Sequence, residues 1–207
     1  MILYIFAVNN VAKIANCHEI IVNLHKNKMK EFVKIYDAHQ NELILKEVHR
    51  LYESSFPIEE RRPWQNILNR IDCDERFELL VAQEQGRLLG FITWWDLGVV
   101  RYIEHFAVKE SMRNNGVGGM MISQFIAMSS LPVLLEAELP ENGEMARRRV
   151  KFYCRHGFVE CDDVEYVQPA YAPHLSSVPL RLLITDRNNV DIGEVVKLLH
   201  RIVYKFV

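Results

Sequence analysis

Hydrophobic and polar residues alternate from Glu31 to Tyr36 (EFVKIY), a period of two that predicts a β-strand. From His39 to Ser54 the apolar residues Leu43, Leu45, Val48, Leu51 and Tyr52 recur at mixed three- and four-residue spacings, predicting an amphipathic helix. Pro57 and Pro63 punctuate the loop SSFPIEERRPW, and a short second helix is expected over Trp64–Ile71. FELLVAQEQ and LLGFITWWDL then read as two strands joined at Gln85-Gly86-Arg87, with VVRYIEHFAV as a third. A glycine-rich stretch, RNNGVGG (113–119), leads into the apolar helix MMISQFIAM, which Pro132 stops before the strand VLLEAEL. After PENGE comes a basic helix, ARRRVKFYCRH, ended by Gly157. FVECDDVEYVQ and PLRLLIT make a last strand pair around PAYAPHLSS, and Glu194–Lys205 closes as a helix.

The order β-α-α-β-β-β-α-β-α-β-β-α, without repeats or a low-complexity linker, predicts one α/β (α+β) domain. Its sheet should be mixed, mostly antiparallel and flanked by helices. Residues 1–28 are expected to be an N-terminal extension to a domain spanning 29–207. The opening MILYIFAV lacks the leading positive charge of a secretory signal and is far shorter than the roughly 20 apolar residues of a membrane span.

Composition narrows the function. At 207 residues with 49% apolar content the chain can bury a substantial core, and its formal charge of −2 gives no nucleic-acid footprint. Cys17, Cys73, Cys154 and Cys161 form no CxxC pair, which argues for free thiols in a reducing cytoplasm over a disulfide scaffold or zinc site. The histidines show no HExxH or HxH spacing, so no metal is assigned.

RNNGVGG sits where a strand gives way to a helix. The first turn of a helix leaves about four amides without intrahelical partners, and the helix dipole adds positive charge there. Glycines let those amides approach an anion, and Arg113 adds a forked cation, so the stretch suits phosphate or pyrophosphate. A Walker loop needs GK[ST], but Gly118 is followed by Gly119 and Met120; a dinucleotide fingerprint needs glycine where Met121 stands. In VLLEAEL, Glu136 and Glu138 share a face by alternation, and Glu104 lies in YIEHFAV beside His105. Carboxylates inside apolar strands are costly to bury unless paired, which makes all of these candidates for proton chemistry.

Arg113-Asn-Asn-Gly116-Val-Gly118 fits R-x-x-G-x-G/A, and FYCRHGF (152–158) fits a Y-x-x-x-GF helix ending. With the element order, these resemble the GNAT superfamily of acyl-CoA-dependent N-acetyltransferases over about residues 31–185. The resemblance implies that the main chain of Arg113, Asn114, Asn115, Gly116, Val117 and Gly118 holds the CoA pyrophosphate. It implies that Phe106, Ala107 and Val108 bind the pantetheine arm through their backbone, beside a splay of the central strands. Tyr153 would protonate or hydrogen-bond the departing thiolate. The base would be Glu138, Glu136 or Glu104, directly or through water. The family's asparagine before the tyrosine is here Ala146, with Asn142 as the candidate substitute, and Arg147-Arg148-Arg149 offers a contact for the CoA 3′-phosphate or an acidic substrate.

Acetyl-CoA as co-substrate, a small-molecule or peptide amine as acceptor, and no nucleic-acid or membrane partner complete the expectation. SSFPIEERRPW and YVQPAYAPHLSS would shape the acceptor pocket without disclosing its occupant. The other function class is a non-catalytic CoA-binding sensor or interaction module on the same fold. EVVKLLHRIVYKFV could pack on its own domain or on a partner, as in a homodimer.

Overall fold

The computed structural model describes residues 31–204 apart from Tyr36 and Gln40. The expected extension over 1–28 lies outside the described residues, as does Cys17. The described elements are β1 (Glu31–Ile35), α1 (Glu42–Ser55), α2 (Trp64–Cys73), β2 (Phe77–Glu84), β3 (Arg87–Asp96) and β4 (Arg101–Val108). They continue with α3 (Val117–Ala127), β5 (Val133–Glu138), α4 (Glu144–Cys154), β6 (Val159–Glu160), β7 (Tyr166–Gln168), β8 (Val178–Ile184) and α5 (Ile192–Leu198). A π-helical turn, Leu199–Val203, follows α5.

The strands form one sheet in the order β1-β2-β3-β4-β5-β8-β6, with β7 also on β8. Among the assigned pairs β4–β5 is parallel, whereas β2–β3, β3–β4, β5–β8, β6–β8 and β7–β8 are antiparallel. The β2–β3 hairpin closes at Gln85-Gly86, both at positive φ, the geometry of a tight two-residue turn. FVECDDVEYVQ, expected as one strand, is broken into β6 and β7 by the turn around Asp162 and Asp163.

Two apolar layers cover the sheet. One face packs against α1, α2 and α5 through Val48, Tyr52, Ile67, Val195 and Leu199; the other packs against α3 and α4 through Met121, Phe125, Val150 and Tyr153. Because both faces are covered, β3 is buried from Leu88 to Trp95 with no polar face. The closing segment puts Ile192, Val195, Leu199, Val203 and Tyr204 into the first layer, so its apolar stripe packs on its own domain.

Two irregularities build the centre of the molecule. The first is a bulge in β4: Thr93 pairs with His105 and Trp94 with Ile103, leaving Glu104 as the extra residue. Ile103 and Phe106 therefore both belong to the α3–α4 face, and the two residues between them, Glu104 and His105, make their contacts on the opposite face. The second is a splay. β4 and β5 pair at Arg101–Val133, Tyr102–Leu134 and Ile103–Leu135, and no further. Beyond that point Glu104–Val108 and Glu136–Glu138 border a gap between the two strands.

Candidate active site

The helix α3 begins at Val117, three residues before the apolar run MMISQFIAM, so Gly118 and Gly119 belong to its first turn. A short 3-10 turn, Glu110–Met112, separates it from β4. Gly116 caps the helix in the left-handed region (φ 74), preceded by Asn114 at φ 63, and no side chain caps the amides that follow. Buried Val117 anchors the turn while Arg113, Asn114, Asn115 and Gly116 are exposed. The other end is held by buried Arg101, whose guanidinium donates to the carbonyls of Phe125 (2.7 Å) and Ile126 (3.0 Å) at the helix C-terminus. Arg101 thus ties the C-terminal end of α3 to β4. No pattern in the sequence singles out that role.

Around this turn the space is tight on one side only. A Cβ on Gly118 would meet Phe152, Phe106 and Val108 at ordinary contact distances, 3.5–3.6 Å. A Cβ on Gly119 would come within 2.6 Å of His156 Nε2. His156 cannot easily yield, because its Nδ1 is 2.8 Å from the Phe152 carbonyl and its ring packs on Phe152. Arg113 Nε donates to the Val108 carbonyl (3.2 Å), tying its guanidinium back to the end of β4. Asn142 is exposed in a 3-10 turn just before α4, and Ala146 is buried.

Tyr153 projects from α4 into the α3–α4 core, between Phe152 and Phe158. Burial pushes its phenol up to about 12, with the Arg149 charge pulling the other way, so the hydroxyl stays protonated at neutral pH. That hydroxyl has no hydrogen-bond partner among the described residues. Neighbouring Cys154 points away and is exposed.

The carboxylates sort into different states. Glu104 is a buried ion-pair partner: Arg62 Nε and Nη2 donate to its Oε1 at 2.9 and 2.6 Å, Tyr171 donates at 2.8 Å, and Trp95 Nε1 donates to Oε2 at 2.8 Å. Its side chain is 0% exposed. Burial alone would raise its pKa, but the Arg62 charge and these donors outweigh that and hold the carboxyl below its ordinary range. Glu136 has no cation among the described residues. Tyr166 and Tyr204 donate to it, the latter at 3.0–3.1 Å, and burial pushes its carboxyl up to about 7 against these hydroxyls, reinforced by the charge of Glu104. Glu138, at the end of β5, pairs with Arg149 of α4 at 2.6 Å. Arg147 is turned to the Pro140 carbonyl (3.2 Å).

His105 is neutral, its pKa lowered by burial. Its Nε2 lies 3.1 Å from the Glu60 carbonyl, which can only accept, so the Nε2 carries the proton and Nδ1 accepts from Thr93 (3.0 Å). The consecutive bulge residues thus clamp the α1–α2 loop, Glu104 through the Arg62 side chain and His105 through the Glu60 main chain. Gln168 links the second polar segment to the first by donating to the Glu59 carbonyl (3.3 Å). Both segments expected around the acceptor therefore converge on Glu104. Glu60 is itself raised, by burial and then by the nearby Glu138.

Sequence reading did not single out Arg62, Tyr166 or Tyr204. Arg62 belongs to the mixed-charge run EERR, and each tyrosine sits in an apolar stretch that reads as packing.

Comparison with known proteins agrees with this fold. Residues 75–160 match the family profile described as an acetyltransferase (GNAT) domain. A Bacteroides thetaiotaomicron protein described as from the GNAT family is 31% identical and superimposes with a TM-score of 0.77, covering 86% of this chain and 99% of its own. A Salmonella typhimurium protein solved with its cofactor acetyl-CoA shares the fold at 14% identity (TM-score 0.53; 80% and 98% covered). The Escherichia coli ribosomal-protein-S18-alanine N-acetyltransferase does so at 13% (TM-score 0.51; 79% and 99%). No curated protein sequence matches the chain. On the 31% identity across nearly the whole of the first relative, and on the matching domain profile, the chain belongs to the GNAT family of acetyltransferases.

Proposed function

We propose that the protein transfers an acetyl group from acetyl-CoA to a primary amine by direct attack, with Glu136 as general base and Tyr153 as the acid at sulfur. The observation that carries this reading is the pairing of a splayed β4–β5 gap with two carboxyls at its vertex in opposite states: Glu104 held ionised by Arg62, and Glu136 raised to about 7. Titratable neighbours driven apart by their surroundings are the usual mark of an acid–base site.

The residues present fit acetyl-CoA. The uncapped first turn of α3 supplies amides for a pyrophosphate, and Gly118 leaves room beside them. β4 from Phe106 to Val108 has no β5 partner, which leaves its backbone edge available to a pantetheine amide, while Arg113 already occupies the Val108 carbonyl. Bound there, the co-substrate supplies a thioester carbonyl as electrophile. Glu136 takes the proton of the attacking amine from the α1–α2 face. Tyr153, on the α3–α4 face, gives a proton or hydrogen bond to the sulfur that leaves. Acid and base thus belong to opposite faces of the sheet. Free Cys154 takes no part, consistent with transfer that needs no acyl-enzyme.

Acetyl-CoA titration by calorimetry, followed by a CoA-release assay over a panel of primary amines, tests this. Binding with amine-dependent release is expected. Tight binding with no release over the whole panel would overturn the catalytic reading, and absence of binding would overturn the donor.

A further inference from the structure

Glu136 is held mainly by groups outside its own strand. Tyr166 reaches it from β7, Tyr102 and Glu104 face it from β4, Tyr171 lies across from it on the loop after β7, and Tyr204 comes from the turn that follows α5. Tyr204 touches both carboxyl oxygens, at 3.1 and 3.0 Å. Its hydroxyl has one proton to give, and Glu136 accepts it. With Glu136 ionised, the 2.8 Å bond to Tyr102 then runs from Tyr102 to Tyr204, so the two phenols form a chain pointing at the carboxylate. Each donor in such a chain strengthens the next.

The backbone that delivers Tyr204 is irregular. Its amide donates to the Leu199 carbonyl (3.1 Å), an i→i+5 bond that closes the π-helical turn Leu199–Val203. Such widened turns are less favourable than an α-helical continuation and persist where they place something. Here the turn places two groups at once. The Val203 carbonyl accepts from Arg62 Nη2 (2.8 Å), the same nitrogen that holds Glu104, and the next residue reaches Glu136. One turn therefore touches both carboxyls at the vertex of the splay, one through Arg62 and one directly.

We propose that this turn is a working part of the transfer site and that Tyr204 is a positioning residue, its hydroxyl holding the Glu136 carboxyl in the proton-accepting form. The inference rests on Glu136 being the base. A tyrosine serving only to pack would contribute through its ring, which lies 5.2 Å from that of Tyr171, and losing the hydroxyl would not alter how Glu136 titrates.

The titration that tests it needs no acceptor. In protein labelled with carbon-13 at the glutamate carboxyls, the Glu136 signal is identified by its loss in Glu136→Gln and followed against pH. A hydroxyl donating to a carboxylate favours the charged form, so Tyr204→Phe should raise the Glu136 midpoint by about one pH unit, a tenfold gain in proton affinity. In the wild-type protein the Tyr204 ζ-carbon should shift with the same midpoint as Glu136, a measurement independent of whether the variant folds. An unmoved midpoint in folded Tyr204→Phe, or a wild-type Tyr204 signal that ignores the Glu136 titration, overturns the proposal. Undiminished acetyl transfer by Glu136→Gln would instead overturn the base assignment while leaving the Tyr204–Glu136 coupling measurable.

Discussion

Glu104 and Glu136 are the first residues beyond the last β4–β5 pair, Ile103–Leu135, and the same fold lowers the proton affinity of one while raising that of the other to about 7. The difference is the cation: Arg62 bonds Glu104 twice, whereas among the described residues the groups that bond Glu136 are hydroxyls.

If Glu136 is the base, transfer should climb with pH through about 7, because only the ionised carboxyl accepts the amine's proton. Glu136→Gln should lower kcat on the order of 10²-fold or more and remove this acid limb, with acetyl-CoA affinity unchanged. Steady-state rates across pH, beside a calorimetric titration, decide it.

The same group makes a stability prediction of definite sign. A carboxyl raised to about 7 in the folded state keeps its proton while the unfolded chain, with an ordinary value near 4.3, gives it up. Its contribution is therefore complete below the unfolded value and is lost as pH rises to 7, by roughly 3 kcal/mol. Glu136→Gln does not titrate, so its stability relative to wild type should improve between pH 5 and pH 8. Urea unfolding at the two pH values gives the comparison.

Arg62→Met should cost about 3–5 kcal/mol, because it leaves the Glu104 charge buried without its cation. Arg62→Met combined with Glu104→Leu should recover much of that loss. In the wild type the pair's contribution is present above the unfolded value and fades as pH falls below about 4, since the folded Glu104 value is the lower one. Chemical denaturation of the single and double variants measures the coupling.

Small and bulky substitutions at Gly118 separate fold from ligand. The methyl added in Gly118→Ala meets only ordinary contacts, and alanine favours a helix over glycine by about 1 kcal/mol, so the melting temperature should hold or rise. Acetyl-CoA affinity should hold too, since the motif R-x-x-G-x-G/A admits alanine there, and should fall in the bulkier Gly118→Leu if a pyrophosphate lies against that turn. Gly119→Ala should instead destabilise the protein, by collision with His156, and His156→Ala should relieve it.

Tyr153→Phe removes a hydroxyl that has no partner among the described residues, so stability should change by no more than about 0.5 kcal/mol. A fall in kcat on the order of 10²-fold with unchanged acetyl-CoA binding is expected of an acid at the sulfur; equal turnover would remove that role.

Much of this architecture is legible in local pattern. Strand alternation and helical spacing find the principal elements because burying one face is a local demand on residue order, and the glycines at Gly116, Gly118 and Gly119 mark a turn whose backbone needs are local too. Boundaries blur where local signals compete. The apolar run MMISQFIAM hides a helix that already begins at Val117, and the strand expected over 158–168 breaks at Asp162 and Asp163.

By itself the sequence determined the order of elements, the glycine-rich start of α3, and the carboxylates Glu104, Glu136 and Glu138 within apolar strands. Only the tertiary structure decided what each carboxylate is. A one-residue bulge turned Glu104 and His105 to the same face, against the period-two rule. Arg62 came 42 positions to ionise Glu104, and Tyr204 came 68 positions to reach Glu136. A carboxyl's proton affinity is set by the burial, charge and donors within a few ångströms, and those neighbours are assembled by folding from residues that have no relation in sequence.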